Sequence, residues 1–168
     1  DIKVEIDDTA QRLTGSEVIT YHNNSPDSLS YLWLQLDQNL WTPDSDSNTT
    51  RTAPDFKKFP YKTAAGALRD PFQGGFQIAG VADAAGKALP HTVVKTMMRV
   101  DLPTPIAPGG RYLFSVRWSY NINNSKWQSG RTGYEFFPKD GNYLYCMAQF
   151  FPRLAAYYDV YGWQHKQY

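Results

Sequence analysis

The sequence predicts an all-β protein, an antiparallel β-sandwich with one long irregular loop, and three observations carry that expectation. Apolar residues recur at every second position along most of the chain. Clusters of Gly, Pro, Asn, Asp and Ser interrupt this alternation at spacings suited to short strands. No segment sustains a helical period, and no internal repeat is visible. At 168 residues the chain has the length of one ordinary domain, read here as residues 1–168.

The elements follow in order. Ile2, Val4 and Ile6 alternate with Lys3, Glu5 and Asp7, the pattern of a half-buried strand. "RLTGSEVITYHNNSPDS" continues as a second strand and ends in a turn cluster. "LSYLWLQLDQN" places Leu32, Leu34 and Leu36 on one face, with Trp33, Gln35 and Asp37 on the other. Residues 42 to 75 lose the period and read as a long surface excursion, with a short helical turn near "TAAGAL". "FQIAGVADAAGKALPHTVV" then reads as a hairpin with its tip at Ala85-Gly86-Lys87. "TMMRVDLPTPIAPGGRYLFSVRWSYNI" reads as two strands around Pro108-Gly109-Gly110. The second puts Tyr112, Phe114, Val116, Trp118 and Tyr120 on one face. A last strand-like run, "CMAQFF", holds a lone amide, Gln149, and breaks at Pro152 before Arg153.

Composition excludes several function classes. A net charge of +1 with scattered basic residues fits neither nucleic acid nor an anionic membrane as partner. No apolar run approaches the ~20 residues of a membrane span. The N-terminal strand is not a targeting segment. Cys146 is the only cysteine, so no internal disulfide forms, and its apolar run reads as a buried small hydrophobe. Asn23-Asn24-Ser25, Asn48-Thr49-Thr50 and Asn123-Asn124-Ser125 fit the short and common glycosylation pattern.

No self-contained catalytic constellation emerges. His22, His91 and His165 lie far apart, none with a partner at metal-ligand spacing, and read as surface or turn histidines. There is no Gly-x-Ser-x-Gly elbow, and the Gly-Gly pairs read as turns rather than phosphate loops. A pair of carboxylates could be assembled by folding, but nothing in the spacing selects one.

The order of segments carries a resemblance. The pieces "LWLQLDQNL", "LPTPIAPGGRYLFSVRW" and "GNYLYCMAQFFPR" are similar to the N-terminal domain of zinc aminopeptidases of the aminopeptidase N family. The likeness is greatest to a bacterial, exported branch with an Ala-Gln-aromatic-aromatic-Pro-Arg segment, and it covers nearly the whole chain. It implies a saddle-shaped β-sandwich packed on a thermolysin-like catalytic domain, and a periplasmic or extracellular location. It also implies that this domain runs on through another strand or two. Zinc, the His-Glu-x-x-His helix and the Gly-x-Met-x-Asn loop belong to the catalytic domain, so this chain binds no cofactor and is not itself the enzyme. The partners implied are that catalytic domain and a peptide substrate in the shared cleft.

In the family a Thr-Gln-x-Glu-like segment forms one wall of the active site, its Gln lining the first substrate pocket and its Glu holding the substrate amine. Gln149 falls on that Gln and Phe151 on that Glu, with Phe150 between them. The resemblance therefore makes Gln149, Phe150 and Phe151 the substrate-binding residues. A carboxylate beside an ammonium makes a charge-assisted hydrogen bond that Phe151 does not replace. Cation–π contact recovers roughly 0.5–2 kcal/mol of it. From the residues alone, Gln149 also reads as a strand amide satisfied by neighbouring backbone. Arg153 reads as a structural charge pairing with Asp159 or another carboxylate. Tyr157, Tyr158, Tyr161 and Trp163 read as interface or core aromatics. The alternative function is a free-standing carbohydrate-binding module, because aromatic residues make 15% of the chain and Trp33, Trp41, Trp118, Trp127 and Trp163 are of the type that stacks on sugars.

Overall fold

A computed structural model describes residues 1–50, 72–126 and 131–167, and its architecture is the expected all-β antiparallel sandwich. In chain order the strands are β1 (Ile2–Asp7), β2 (Arg12–His22), β3 (Leu29–Gln35), β4 (Gln77–Asp83), β5 (His91–Val94), β6 (Met97–Ile106), β7 (Arg111–Asn121), β8 (Thr132–Phe137), β9 (Asn142–Met147), β10 (Arg153–Leu154), β11 (Tyr157–Tyr158) and β12 (Gly162–Trp163). A 3-10 turn at Asp37–Trp41 and a one-turn helix α1 (Asp46–Thr49) follow β3. One sheet has the order β1-β2-β7-β4 and the other β10-β3-β6-β5, while β8–β9 and β11–β12 form two separate ribbons. The expected helical turn near "TAAGAL" and most of the 42 to 75 excursion lie outside the described residues.

The core forms where the alternating faces meet. Leu13, Phe114, Val116, Trp118 and Tyr120 come from the first sheet, and Leu32, Leu34, Met98 and Val100 from the second, all buried in one cluster. In register, Leu32 lies opposite Val100 and Leu34 opposite Met98, so large side chains pair across the ladder. Pro103 and Pro105 sit in β6 where the pairing with β3 shifts between Leu29 and Tyr31. That irregularity is where a residue without an N–H can be tolerated.

Three expectations need correction. The alternation of β1 is real, but its apolar side is exposed rather than half-buried, because β1 is an edge strand whose inner face the second sheet does not cover. The turn at Ala85-Gly86-Lys87 forms, with Gly86 at φ 80°, yet its second arm pairs only as far as Leu89. Pro90 ends that ladder, and β5 joins the other sheet. The turn at Pro108-Gly109-Gly110 joins two strands as expected, β6 and β7, and it carries the chain from one sheet to the other. Cys146 is exposed, because it lies on the face of the β8–β9 ribbon opposite Tyr145 and Met147, which pack on the core. Two of the glycosylation-pattern asparagines, Asn23 and Asn123, are buried and spend their amides on backbone carbonyls.

Candidate functional site

The segment after β9 is not strand. Pairing stops at Met147, and Ala148 and Gln149 bend the chain, with Gln149 at φ +55°. This left-handed conformation costs a residue with a Cβ on the order of 1–2 kcal/mol. Pro152, which is buried, follows, and the chain rejoins the second sheet as β10, where Arg153 lies opposite Gln35 and Leu154 opposite Leu34.

Three consecutive carbonyls of this bend are held by side chains. Gln38 Nε2 donates to Ala148 O at 3.1 Å and to Gln149 O at 3.2 Å, and Trp118 Nε1 donates to Phe150 O at 3.1 Å. Both donors are buried, so the bonds form where water does not compete. The backbone of Gln149 is thus over-determined in a strained conformation, an arrangement met disproportionately at functional sites. Its side chain is half-buried, and its amide bonds to no other described residue, which leaves it free for an outside partner. Phe150 and Phe151 pack edge to face with centroids 5.0 Å apart, both half-buried against the core. Ala148–Arg153 contains no carboxylate that could meet an amine.

Arg153 anchors the far side of the bend. Its Nε donates to Asp37 Oδ2 at 2.9 Å, Nη2 lies 2.8 Å from the same oxygen as an ion pair, and Nη2 donates to Gln35 Oε1 at 3.1 Å. The partner is therefore Asp37 rather than Asp159. Asp37 begins a run of three consecutive buried polar residues that residue-by-residue reading passed over. Gln38 holds the bend, and Asn39 accepts from Phe76 N–H at 2.7 Å and donates to Lys95 O at 2.6 Å. The signal lay in the sequence: Asp-Gln-Asn comes directly after a face of leucines. A second buried group went unnoticed on β2. Burial pushes the Glu17 carboxyl up to about 8, and its Oε1 has no hydrogen-bond partner among the described residues.

No protein-family model matches the sequence, and no curated protein matches it. Among solved structures, the chain is similar to a mutant of an M1 zinc metallopeptidase from Deinococcus radiodurans, at 14% identity over 74% of this chain and 20% of that one, with a TM-score of 0.41. It is similar also to that mutant bound to a Tyr-Ser-Ala substrate, at 12% identity over the same shares, with a TM-score of 0.39. The chain spans about a fifth of the length of those peptidase chains.

Among the described residues no group of three or more His, Cys, Asp or Glu side chains is gathered as a metal ion requires. No helix among the described residues is long and apolar enough to cross a membrane. The tryptophans suited to sugar stacking are engaged otherwise: Trp118 and Trp163 are buried, and Trp33 is stacked under His165 at 5.3 Å. Trp41 is half-buried, and Trp127 lies outside the described residues.

Proposed function

We propose that this chain is the N-terminal, non-catalytic domain of a zinc-dependent aminopeptidase-like metallopeptidase, packed on a catalytic domain of the same polypeptide and supplying one wall of its substrate cleft. The observation that carries this reading is the bend at Gln149: a strained backbone, fixed through three carbonyls, presenting an amide with no hydrogen bond among the described residues. Such rigidity suits a group that must meet a peptide in one orientation. Phe150 and Phe151 line the same wall as apolar surface. With no acid in the segment, recognition of the substrate's free amine falls to the catalytic domain. A periplasmic or extracellular setting accompanies this reading.

The β8–β9 ribbon supports the packing role. Phe136, Phe137, Tyr143 and Leu144 are exposed, and by register they occupy both of its faces. The far half of this two-stranded ribbon is wet on both sides and marginal alone, and an apolar surface of this kind fits a covering domain.

The test is made in the full-length parent. Gln149→Ala is expected to raise KM, or shift selectivity among aminoacyl substrates, by about tenfold, the loss of roughly one good hydrogen bond to substrate. Gln149→Gly removes the same amide while relieving the backbone, so it should lose the same selectivity with unchanged or improved thermal stability. An unaltered substrate profile in both variants would take Gln149 out of the site.

A further inference from the structure

We propose that two copies of this chain associate edge to edge through β1, antiparallel about a two-fold axis at Val4. The inference is independent of the peptidase reading. Among the described residues strand β1 ends the first sheet and pairs on one side only, with β2, through six consecutive residues without a bulge or a proline. Its inner-face side chains Ile2, Val4 and Ile6 remain 42, 47 and 40% exposed. An unpaired, regular edge with an apolar face is a template for another strand.

The other sheet edges are blunted. Edge strand β4 carries a register shift between Ile78 and Gly80, and Ala88–Leu89 folds back on it at Ala82 and Val81. Strand β5 has four residues and β10 only two. Among the described edges of the two four-stranded sheets, β1 alone keeps the length and regularity that pairing needs.

The sequence of β1 selects its own copy as the occupant. Ile2-Lys3-Val4-Glu5-Ile6 is self-complementary when two copies run antiparallel. Val4 meets the partner's Val4, Ile2 meets the partner's Ile6, and Lys3 meets the partner's Glu5. Directly opposed residues share a face, so the three apolar residues of both copies continue the inner face while two Lys–Glu pairs form on the outer one. Lys3 and Glu5 are both exposed. A parallel arrangement opposes Lys3 to Lys3, and antiparallel registers centred on Lys3 or Glu5 oppose like charges at the axis. In the Val4 register the outermost pair, Asp1 with the partner's Asp7, is of like charge. Asp7 Oδ1, however, is turned into its own turn, accepting from Thr9 and Ala10 N–H at 2.9 Å each. The contact is isologous and closes on itself, giving a dimer with one continuous eight-stranded sheet rather than a fibre.

Sedimentation of the purified chain across a concentration series tests this. The wild type is expected to show a reversible, concentration-dependent dimer. Lys3→Glu or Glu5→Lys alone turns both cross-strand pairs repulsive and should weaken dimerisation about tenfold or more. The double variant Lys3→Glu/Glu5→Lys restores opposite charges and should restore the dimer. Both positions are exposed, and circular dichroism verifies that each variant is folded. A wild type that stays monomeric, single reversals that leave the dimer intact, or a double reversal that fails to recover it would each overturn the proposal.

Discussion

Arg153 and Asp37 show how much one pair of side chains can hold. The Asp37 side chain is 4% exposed and the Arg153 side chain 38%, so removing the guanidinium leaves a carboxylate in the interior without its counter-charge. Arg153→Ala should therefore cost about 3 kcal/mol of folding stability by chemical denaturation. Arg153→Lys should recover only part of it, because an ammonium cannot present Nε and Nη2 to one oxygen while also reaching Gln35. An Arg153→Ala variant as stable as wild type would mean that Asp37 is hydrated in solution. At this scale the sequence was legible in type but not in partner. That an Arg after a proline bend seeks a carboxylate follows from its chemistry. That the carboxylate is Asp37, 116 residues away, follows only from β10 pairing with β3.

Elements obey the two-residue period closely. Leu32, Leu34 and Leu36 face the core as their spacing requires, as do Phe114, Val116, Trp118 and Tyr120. What the period does not encode is whether the opposing sheet extends far enough to cover a face. Ile2, Val4 and Ile6 have the same spacing as buried residues and are exposed because β1 overhangs the core. Cys146, in an apolar run, reads as interior and is not. Nor does spacing say which sheet a strand joins; the departures at Pro90 and at Pro108-Gly109-Gly110 were visible as turns but not as crossings between sheets. Gln149 lay in an apolar run, and its bend depends on buried donors from Gln38 and Trp118 that no local pattern reveals. On β2, a strand glycine marks a close approach that can be tested directly. A Cβ at Gly15 would lie 2.5 Å from Trp118 Cζ2 and 2.7 Å from its Cε2, inside the ring that also anchors Phe150 O. Gly15→Ala should destabilise by about 1–3 kcal/mol in thermal unfolding, and should loosen the Gln149 bend through displacement of the indole. Unchanged stability would mean that the ring has room to shift.

The molecule as a whole carries a proton in its interior at neutral pH. With the Glu17 carboxyl raised from its ordinary range to about 8, the folded protein keeps a proton that the unfolded chain releases above about 4.5. Stability relative to a Glu17→Gln variant should fall as pH rises through that window and level off above it. Denaturant midpoints of the two proteins measured across the window check this, and parallel curves would place Glu17 in contact with water. The buried run Asp37-Gln38-Asn39 bears on a different property, the order in which the domain can be built. Its ties reach Phe76, Lys95, Ala148 and Arg153, at separations of 37, 56, 110 and 116 residues. During synthesis Asp37 and Gln38 emerge long before their counterparts, so the leucine-faced strand before them must wait with its polar end hydrated. Contacts of such separation carry the largest loop-closure penalty and slow folding. The joint that shapes the Gln149 bend therefore cannot close until residues 148 to 153 have been made, and a chain cut short before Arg153 lacks it.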